Sequence, residues 1–363
     1  MDTDGKICKE QRIVEMKQLS TLSEILQASG SELQIYEMGR QVQVINKQDF
    51  YQMEIAALPY PAPIKQHARF AVCFWQKQQS NTPYIWFLQL PVDEQGFIHL
   101  GARDQFITLV IDAMGQQLNQ QPSEQQQQAL ANNQYIYKPI EEKLAFFNAI
   151  YKRDCRLPPS EHYTAVRQYL ADETRWEQWQ QLALQGLADL VARLDKEGNS
   201  KLLCDALPKL PIEVTQKTLE LLEHVQLDQQ LSHCIAQLHQ SQLEKNEELA
   251  SVYLRALNGA QVSQLTKKAI ILQLDAASSV HSFIAIAGRL WPHLSDPDLL
   301  KHFFEALAKQ QDQQLFYQIF SDLVFIPQLR SFVLAQLRDP NNSPALQGAV
   351  AQLLQLYQAK QTH

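Results

Sequence analysis

Glycine is scarce in this sequence, with only 11 among 363 residues. No Gly-x-Gly-x-x-Gly run and no Gly-x-x-x-x-Gly-Lys-Ser/Thr run occurs, so the common loops that cradle nucleotide phosphates are absent. The His-Glu-x-x-His motif of zinc proteases and the Gly-x-Ser-x-Gly motif of hydrolases are missing as well. The sequence therefore predicts a protein with no cofactor and no recognisable catalytic motif.

Cysteine and positive charge are also in short supply. The five cysteines are scattered and include no Cys-x-x-Cys pair, which is typical of reduced thiols in a cytosol. The net charge of -7 leaves no broad positive field to attract nucleic acid or anionic lipid. No secretory signal and no apolar run of bilayer length is found. We therefore expect a cytoplasmic protein with no membrane partner, and the charge disfavours nucleic acid.

The hydrophobic pattern divides the chain into two parts. A disordered tail is predicted at residues 1–12, an α/β domain at residues 13–157 and an α-helical domain at residues 160–363. The run Leu157-Pro158-Pro159 is the expected boundary, since neighbouring prolines interrupt regular structure. The first domain opens with apolar residues at helical spacing from residue 13 to residue 26.

Four β-prone runs follow in the first domain. Leu33–Tyr36 and Val42–Ile45 predict a hairpin, with Gly39 supplying a positive φ between them. Arg69–Trp75 and Tyr84–Leu90 are apolar on both faces. A strand with one face in solvent would instead alternate apolar and polar residues. These runs predict a small, mostly antiparallel sheet that is covered on both sides by flanking helices.

The rest of the first domain is predicted to be a turn, a strand and helices. Asp93–Gly96 has the residues of a turn and leads to a predicted strand at Phe97–Leu100. A helix is predicted around Phe106–Met114, and two more at about residues 125–131 and 140–152. The fold class that we expect is therefore α+β.

The second domain shows a repeat. Short runs that each close a predicted helix end in leucine, and these leucines recur at intervals of roughly 30 to 36 residues. Two helices per repeat of this length predict an all-α, HEAT-like solenoid, and an irregular helical bundle is the alternative. The repeated leucines are Leu207, Leu238, Leu274, Leu307 and Leu337.

One turn carries weak candidates for a catalytic site. Asp93 and Glu94 are adjacent carboxylates at the end of a predicted buried strand, with His99 and Arg103 close behind them. Paired carboxylates of this kind can bind a cation or act as acid and base. An aspartate early in a turn and Gly96 late in it are also what chain reversal alone requires.

The histidines and the cysteine between residues 224 and 239 are the nearest approach to a metal-binding pattern. Zinc ligands need tight pairing or a spacing of four residues on one helix face. Neither is found among His224, His233, Cys234 and His239. Cys234 lies on an apolar stripe with Leu231 and is expected to be a core thiol. We therefore predict no metal site.

Three motifs of the first domain resemble those of an uncharacterised group of gammaproteobacterial proteins, domain-of-unknown-function family 3549. They are the run Ile35–Arg40, the run Pro59-Tyr60-Pro61 and the turn Leu90–Gly96. A Leu-Asp-Glu motif of the family falls in this turn, with Val92 here in place of the leucine. The resemblance implies a bacterial protein with a helical second half, and it supplies no activity, substrate or cofactor.

The function that the sequence favours is a non-enzymatic protein–protein interaction scaffold that uses the helical-repeat surface. A small-molecule or metal-dependent enzyme with a site near Asp93 and Glu94 is the first alternative, since loops at strand ends commonly carry chemistry. A nucleic-acid-associated protein is the second. The partner, the pathway and the oligomeric state stay open.

Overall fold

The computed structural model of the chain describes residues 20–76, 83–114, 133–276 and 279–361. The chain divides into two compact units, one of residues 1–139 with 325–327 and the other of residues 140–324 with 328–363. The predicted tail, the start of the first predicted helix and the helix predicted at residues 125–131 lie outside the described residues.

The first unit contains a four-stranded antiparallel sheet. Its strands are β1 (Glu32–Glu37), β2 (Gln43–Ile45), β3 (His67–Trp75) and β4 (Tyr84–Pro91), in the order β2-β1-β3-β4. β1 pairs with β2 on one side and with β3 on the other, and β3 also pairs with β4. The predicted small antiparallel sheet is therefore confirmed.

Within the described residues of this unit, three helices accompany the sheet: α1 (Leu22–Ala28), α2 (Lys47–Glu54) and α3 (Leu100–Met114). A capping box at Thr21 begins α1, and Gly30, with a φ of 75°, follows its end. Asn46 caps α2 by accepting the backbone N–H of Gln48. Apolar residues of all three helices join one face of the sheet in a single buried core.

The two faces of the sheet differ between strands. On β3, Phe70, Val72 and Phe74 are buried in this core, and Ala71 and Cys73 on the opposite face are buried as well. On β4, Leu88 and Leu90 are buried in the core, whereas the residues from Ile85 to Phe87 are half-buried and Tyr84 is exposed. The expectation of a sheet buried on both faces therefore holds for the central strand but only partly for the edge strand β4.

Two local predictions need correction. Phe97–Leu100 is not a strand, because Ile98 makes only an isolated bridge to Val92 and Leu100 already begins α3. Gly39 lies between the two strands of the predicted hairpin but does not have a positive φ. Glycine is needed there for space, since a Cβ atom would lie 2.7 Å from the Oε1 atom of Glu37.

The second unit is helical along its described length. Its α-helices are α4 (Glu141–Asp154), α5 (His162–Ala171), α6 (Leu184–Val191), α7 (Asn199–Ala206), α8 (Ile212–Leu222), α9 (Gln229–Gln242), α10 (Glu247–Ala256), α11 (Ser263–Asp275), α12 (Val280–Arg289), α13 (Pro297–Ala308), α14 (Gln313–Val324), α15 (Pro327–Gln336) and α16 (Pro344–Gln361). Short 3₁₀ helices occupy Glu173–Gln181, Leu257–Gly259 and Trp291–Ser295. The prediction of an α+β chain with a helical C-terminal region is confirmed.

The helices of this unit contact one another in two rows. The even-numbered helices from α6 to α16 contact in succession, and so do the odd-numbered helices from α5 to α13. The repeated leucines lie on the odd-numbered helices or directly after them. The division between the units at Pro139 lies earlier than the expected boundary at Leu157–Pro159, because α4 contacts α6 and α8 of the helical unit.

Candidate functional site

Asp93 is bonded to the backbone of its own turn. Its Oδ1 atom accepts the N–H groups of Gln95 and Phe97, both at 2.9 Å, and its carbonyl oxygen accepts the N–H of Gly96 at 3.0 Å. Gly96 has a φ of 87°, a conformation that favours glycine. The carboxylate of Asp93 thus stabilises the chain reversal, as the turn interpretation requires. The neighbouring Glu94 is exposed.

The other two residues of the proposed catalytic group lie at the beginning of α3. Arg103 is buried, and its guanidinium donates to the carbonyl oxygen of Glu54 and to the carboxylate of Asp104, the latter at 2.6 and 2.9 Å. The His99 residue is exposed at the beginning of α3. In the described part of the chain no side-chain hydrogen bond or ion pair joins Asp93, His99 and Arg103 to one another.

The histidines that were considered as metal ligands lie apart as well. No group of three His, Cys, Asp or Glu side chains among the described residues is placed to hold a metal ion. His239 is buried with its Nε2 atom 2.9 Å from the Oε1 atom of Gln273, and the exposed His233 contacts the carbonyl oxygen of Gln229. Cys234 is half-buried rather than in the core, and its thiol lies 3.6 Å from the carbonyl oxygen of Cys204.

Two of the motifs behind the family resemblance meet at one buried carboxylate. Glu37 accepts the Tyr60 hydroxyl at 2.6 Å, and its two oxygens also accept the backbone N–H groups of Gly39, Arg40 and Gln41. Arg40 is buried and donates from Nε to the carbonyl oxygen of Pro63 at 3.0 Å. These bonds join the end of β1 to the segment Pro59–Pro63. Both motifs therefore have a structural role in holding this loop in place.

A second buried carboxylate, in the helical unit, has different partners. Glu223 directly follows α8, and its Oε2 atom accepts Nε and Nη2 of Arg255 at 2.9 and 2.7 Å. Its Oε1 atom accepts Nε of Arg289 at 2.6 Å. Arg255 lies in the last turn of α10 and Arg289 in the last turn of α12. We call Glu223, Arg255 and Arg289 the arginine pair site.

Burial and charge act together on this site. Burial raises the pKa of Glu223, but the guanidinium groups of Arg289 and Arg255 outweigh it and hold the pKa at about 2. The neighbouring His224 is buried against Phe146, and burial lowers its pKa to about 3 despite the nearby carboxylate. At neutral pH the histidine is therefore uncharged, and two guanidinium charges face one carboxylate charge.

The arginine pair site did not emerge from the sequence motifs. Its residues are separated by about one repeat each, since Glu223, Arg255 and Arg289 lie in the last turn of successive even-numbered helices or directly after it. The leucine repeat lies on the odd-numbered helices, whereas these three charged residues share a register on the other row. Applying the repeat interval to charged residues would have brought these three together.

The family profile described as proteins of unknown function (DUF3549) matches residues 17–354, and the chain belongs to this family. The resemblance carried by the three motifs is thereby confirmed. No curated protein and no solved structure matches the chain. Among the described helices, none is long and apolar enough to cross a membrane.

Proposed function

We propose that this member of the DUF3549 family is a non-enzymatic cytosolic scaffold that binds another protein through the helices of its second unit. The single observation that carries the proposal is the pair of helix rows, in which each helix contacts the next one of its row. We interpret the rows as a HEAT-like solenoid, whose repeats contact only their neighbours and offer an extended surface to a partner.

Exposed apolar side chains on these helices support the proposal. Ile284 is 55% exposed and Val280, one helical turn before it on α12, is 45% exposed. Ile271 on the neighbouring helix α11 is also exposed. Single exposed apolar residues need no explanation, but two at a spacing of four on one helix form a contact surface that water solvates poorly.

The proposal is tested with the full chain. Proteins captured from a native lysate are identified, and the most enriched one is purified and titrated against the chain directly. We expect the double variant Val280→Asp/Ile284→Asp to weaken this binding at least about tenfold, because it places charge in the apolar contact. Val44→Asp on β2, which changes an equally exposed apolar residue of the first unit, is the matched control.

Two results would contradict the proposal. Equal binding of the purified partner by the wild type and by the folded Val280→Asp/Ile284→Asp variant would remove these helices as the binding surface. A turnover activity that disappears in Asp93→Ala/Glu94→Ala while partner binding persists would favour the enzyme alternative instead. Circular dichroism of each variant checks that the helices remain folded.

A further inference from the structure

The arginine pair site has hydrogen-bond donors that the described residues do not use. Arg255 donates from Nε and Nη2 to Glu223, and no acceptor among the described residues meets its Nη1 atom. Arg289 donates from Nε to Glu223 and from Nη1 to the carbonyl oxygen of Gly288 at 3.3 Å, with no such acceptor for Nη2. A guanidinium has five N–H groups, so each arginine retains donors for a further acceptor.

The charge at this site is unbalanced, unlike that of the ion pairs of Lys267 and Lys301 in the same unit. Lys267 meets one carboxylate, that of Asp296, and Lys301 likewise meets that of Asp339. At Glu223 two guanidinium groups share a single carboxylate. Since His224 is neutral, the site carries an excess of one positive charge near neutral pH.

The two arginines reach solvent while the carboxylate between them does not. The side chain of Arg255 is 25% exposed and that of Arg289 is 17% exposed, whereas the side chain of Glu223 is 3% exposed. Glu223 therefore holds Arg255 through Nε and Nη2 and Arg289 through Nε, while both arginine side chains stay partly exposed. Fixing the arginines in advance lowers the side-chain entropy that a ligand would otherwise cost on binding.

We propose that the arginine pair site binds a carboxylate of an acidic peptide segment in the protein partner. Guanidinium groups match the planar, two-oxygen geometry of a carboxylate, and the excess of one positive charge suits a monoanion better than a doubly charged phosphate. This inference rests on the proposed function and specifies the chemistry of its partner. It assigns the binding to Arg255 and Arg289, with Glu223 as the positioning residue.

The experiment uses the full chain and a fluorescein-labelled peptide of alternating alanine and glutamate. A peptide with glutamine in place of glutamate is the control for charge, and binding is followed by fluorescence anisotropy at low and high salt. We expect the glutamate peptide alone to bind, and more weakly at high salt. Arg255→Gln and Arg289→Gln should each weaken binding roughly ten- to hundredfold, because each removes charge-assisted hydrogen bonds.

Two further variants separate binding from folding. Lys245→Gln removes an exposed positive charge elsewhere in the unit, and we expect it to leave peptide binding unchanged. Arg255→Lys keeps a cation beside Glu223 but loses the planar fork, so it should fold and still bind the peptide more weakly than the wild type does. Thermal melts followed by circular dichroism establish that each variant is folded.

Several outcomes would overturn the inference. They are equal binding of both peptides by the wild type, equal loss in Lys245→Gln and in the arginine variants, and unchanged binding in folded Arg255→Gln. A further one is protection of the arginines from phenylglyoxal by inorganic phosphate or acetate but not by the peptide, which would make this a site for free anions. If Val280→Asp/Ile284→Asp still weakens binding of the purified partner in any of these cases, the proposed function stands and only the inference fails.

Discussion

Removing one hydroxyl group at the Glu37 carboxylate tests how the first unit is held together. The Tyr60 hydroxyl donates to this carboxylate at 2.6 Å and lies 3.3 Å from the carbonyl oxygen of Arg69. The Tyr60 side chain is buried, and burial raises its pKa well above the usual value, so the hydroxyl is a donor at all relevant pH values. Tyr60→Phe deletes this donor and leaves the ring.

The expected cost follows from what is lost and what remains. A hydrogen bond to a charged group contributes about 1.5–3 kcal/mol to the free energy of unfolding. The three backbone N–H groups that also bond Glu37 are unaffected, so its carboxylate keeps most of its partners. The ring retains its edge-on contact with Phe70, whose centroid is 5.2 Å away. We therefore expect Tyr60→Phe to destabilise the first unit by about 2 kcal/mol.

Hydrogen exchange measured by mass spectrometry reports on this unit separately from the helical unit. Peptides from β1 and β3 should exchange roughly 30-fold faster in Tyr60→Phe when exchange follows the opening equilibrium. Tyr84→Phe, which removes the hydroxyl of an exposed tyrosine of β4, should change their exchange less than about twofold. Equal exchange in the two variants would refute the assignment of Glu37 and Tyr60 as the anchor of this loop.

The remaining predictions concern space, charge and packing. Gly39→Ala should destabilise the first unit by about 1–3 kcal/mol in the same exchange assay, because its Cβ would lie 2.7 Å from a carboxylate oxygen, whereas Gly101→Ala on α3, where space is open, should not. The pKa values of His224 and Glu223, about 3 and about 2, lie below the usual 6.5 and 4.5, so the unfolded state binds more protons on acidification. The stability that the two groups contribute to the helical unit should be complete above pH 6.5 and fall from there towards pH 2. Glu223→Gln should remove only the share of the carboxylate, which is lost between pH 4.5 and pH 2, in melts followed by circular dichroism. Phe304→Ala, at a buried ring within 6.0 Å of three other phenylalanine rings, should cost about 3–5 kcal/mol by urea denaturation, and a cost below about 1 kcal/mol would contradict the packing.

Most of the sheet could be predicted from the sequence because its strands carry their own signal. The runs in β3 and β4 are apolar and rich in aromatic and β-branched residues, which favour strands wherever they lie. Helix α2 was missed because it buries only Phe50, Met53 and Glu54, too few residues to show a helical period. The same local preference predicted a strand at Phe97–Leu100. That segment forms only the isolated bridge between Val92 and Ile98, so the local preference alone did not make a strand.

The sites were harder to predict, because they depend on contacts between distant parts of the chain. Glu37 and Tyr60 were both present in family motifs, but only the fold brings the hydroxyl to the carboxylate. The Asp93 turn could be anticipated, since its bonds join residues at most four apart. The arginine pair site joins residues up to 66 positions apart, and the sequence indicates it only once the helix rows are known.

The buried carboxylates of Glu37 and Glu223 differ in their donors, and this difference makes the first structural and the second a candidate binding site. Glu37 accepts a hydroxyl and backbone N–H groups of its own loop, and each of these donors gives its single hydrogen to the carboxylate. Glu223 is bonded by guanidinium groups, and each of these brings a full positive charge and further donors. Neutralising one carboxylate needs only one of the two arginines. The second arginine is therefore in excess of what burial of Glu223 requires, and a carboxylate from a partner would restore the balance.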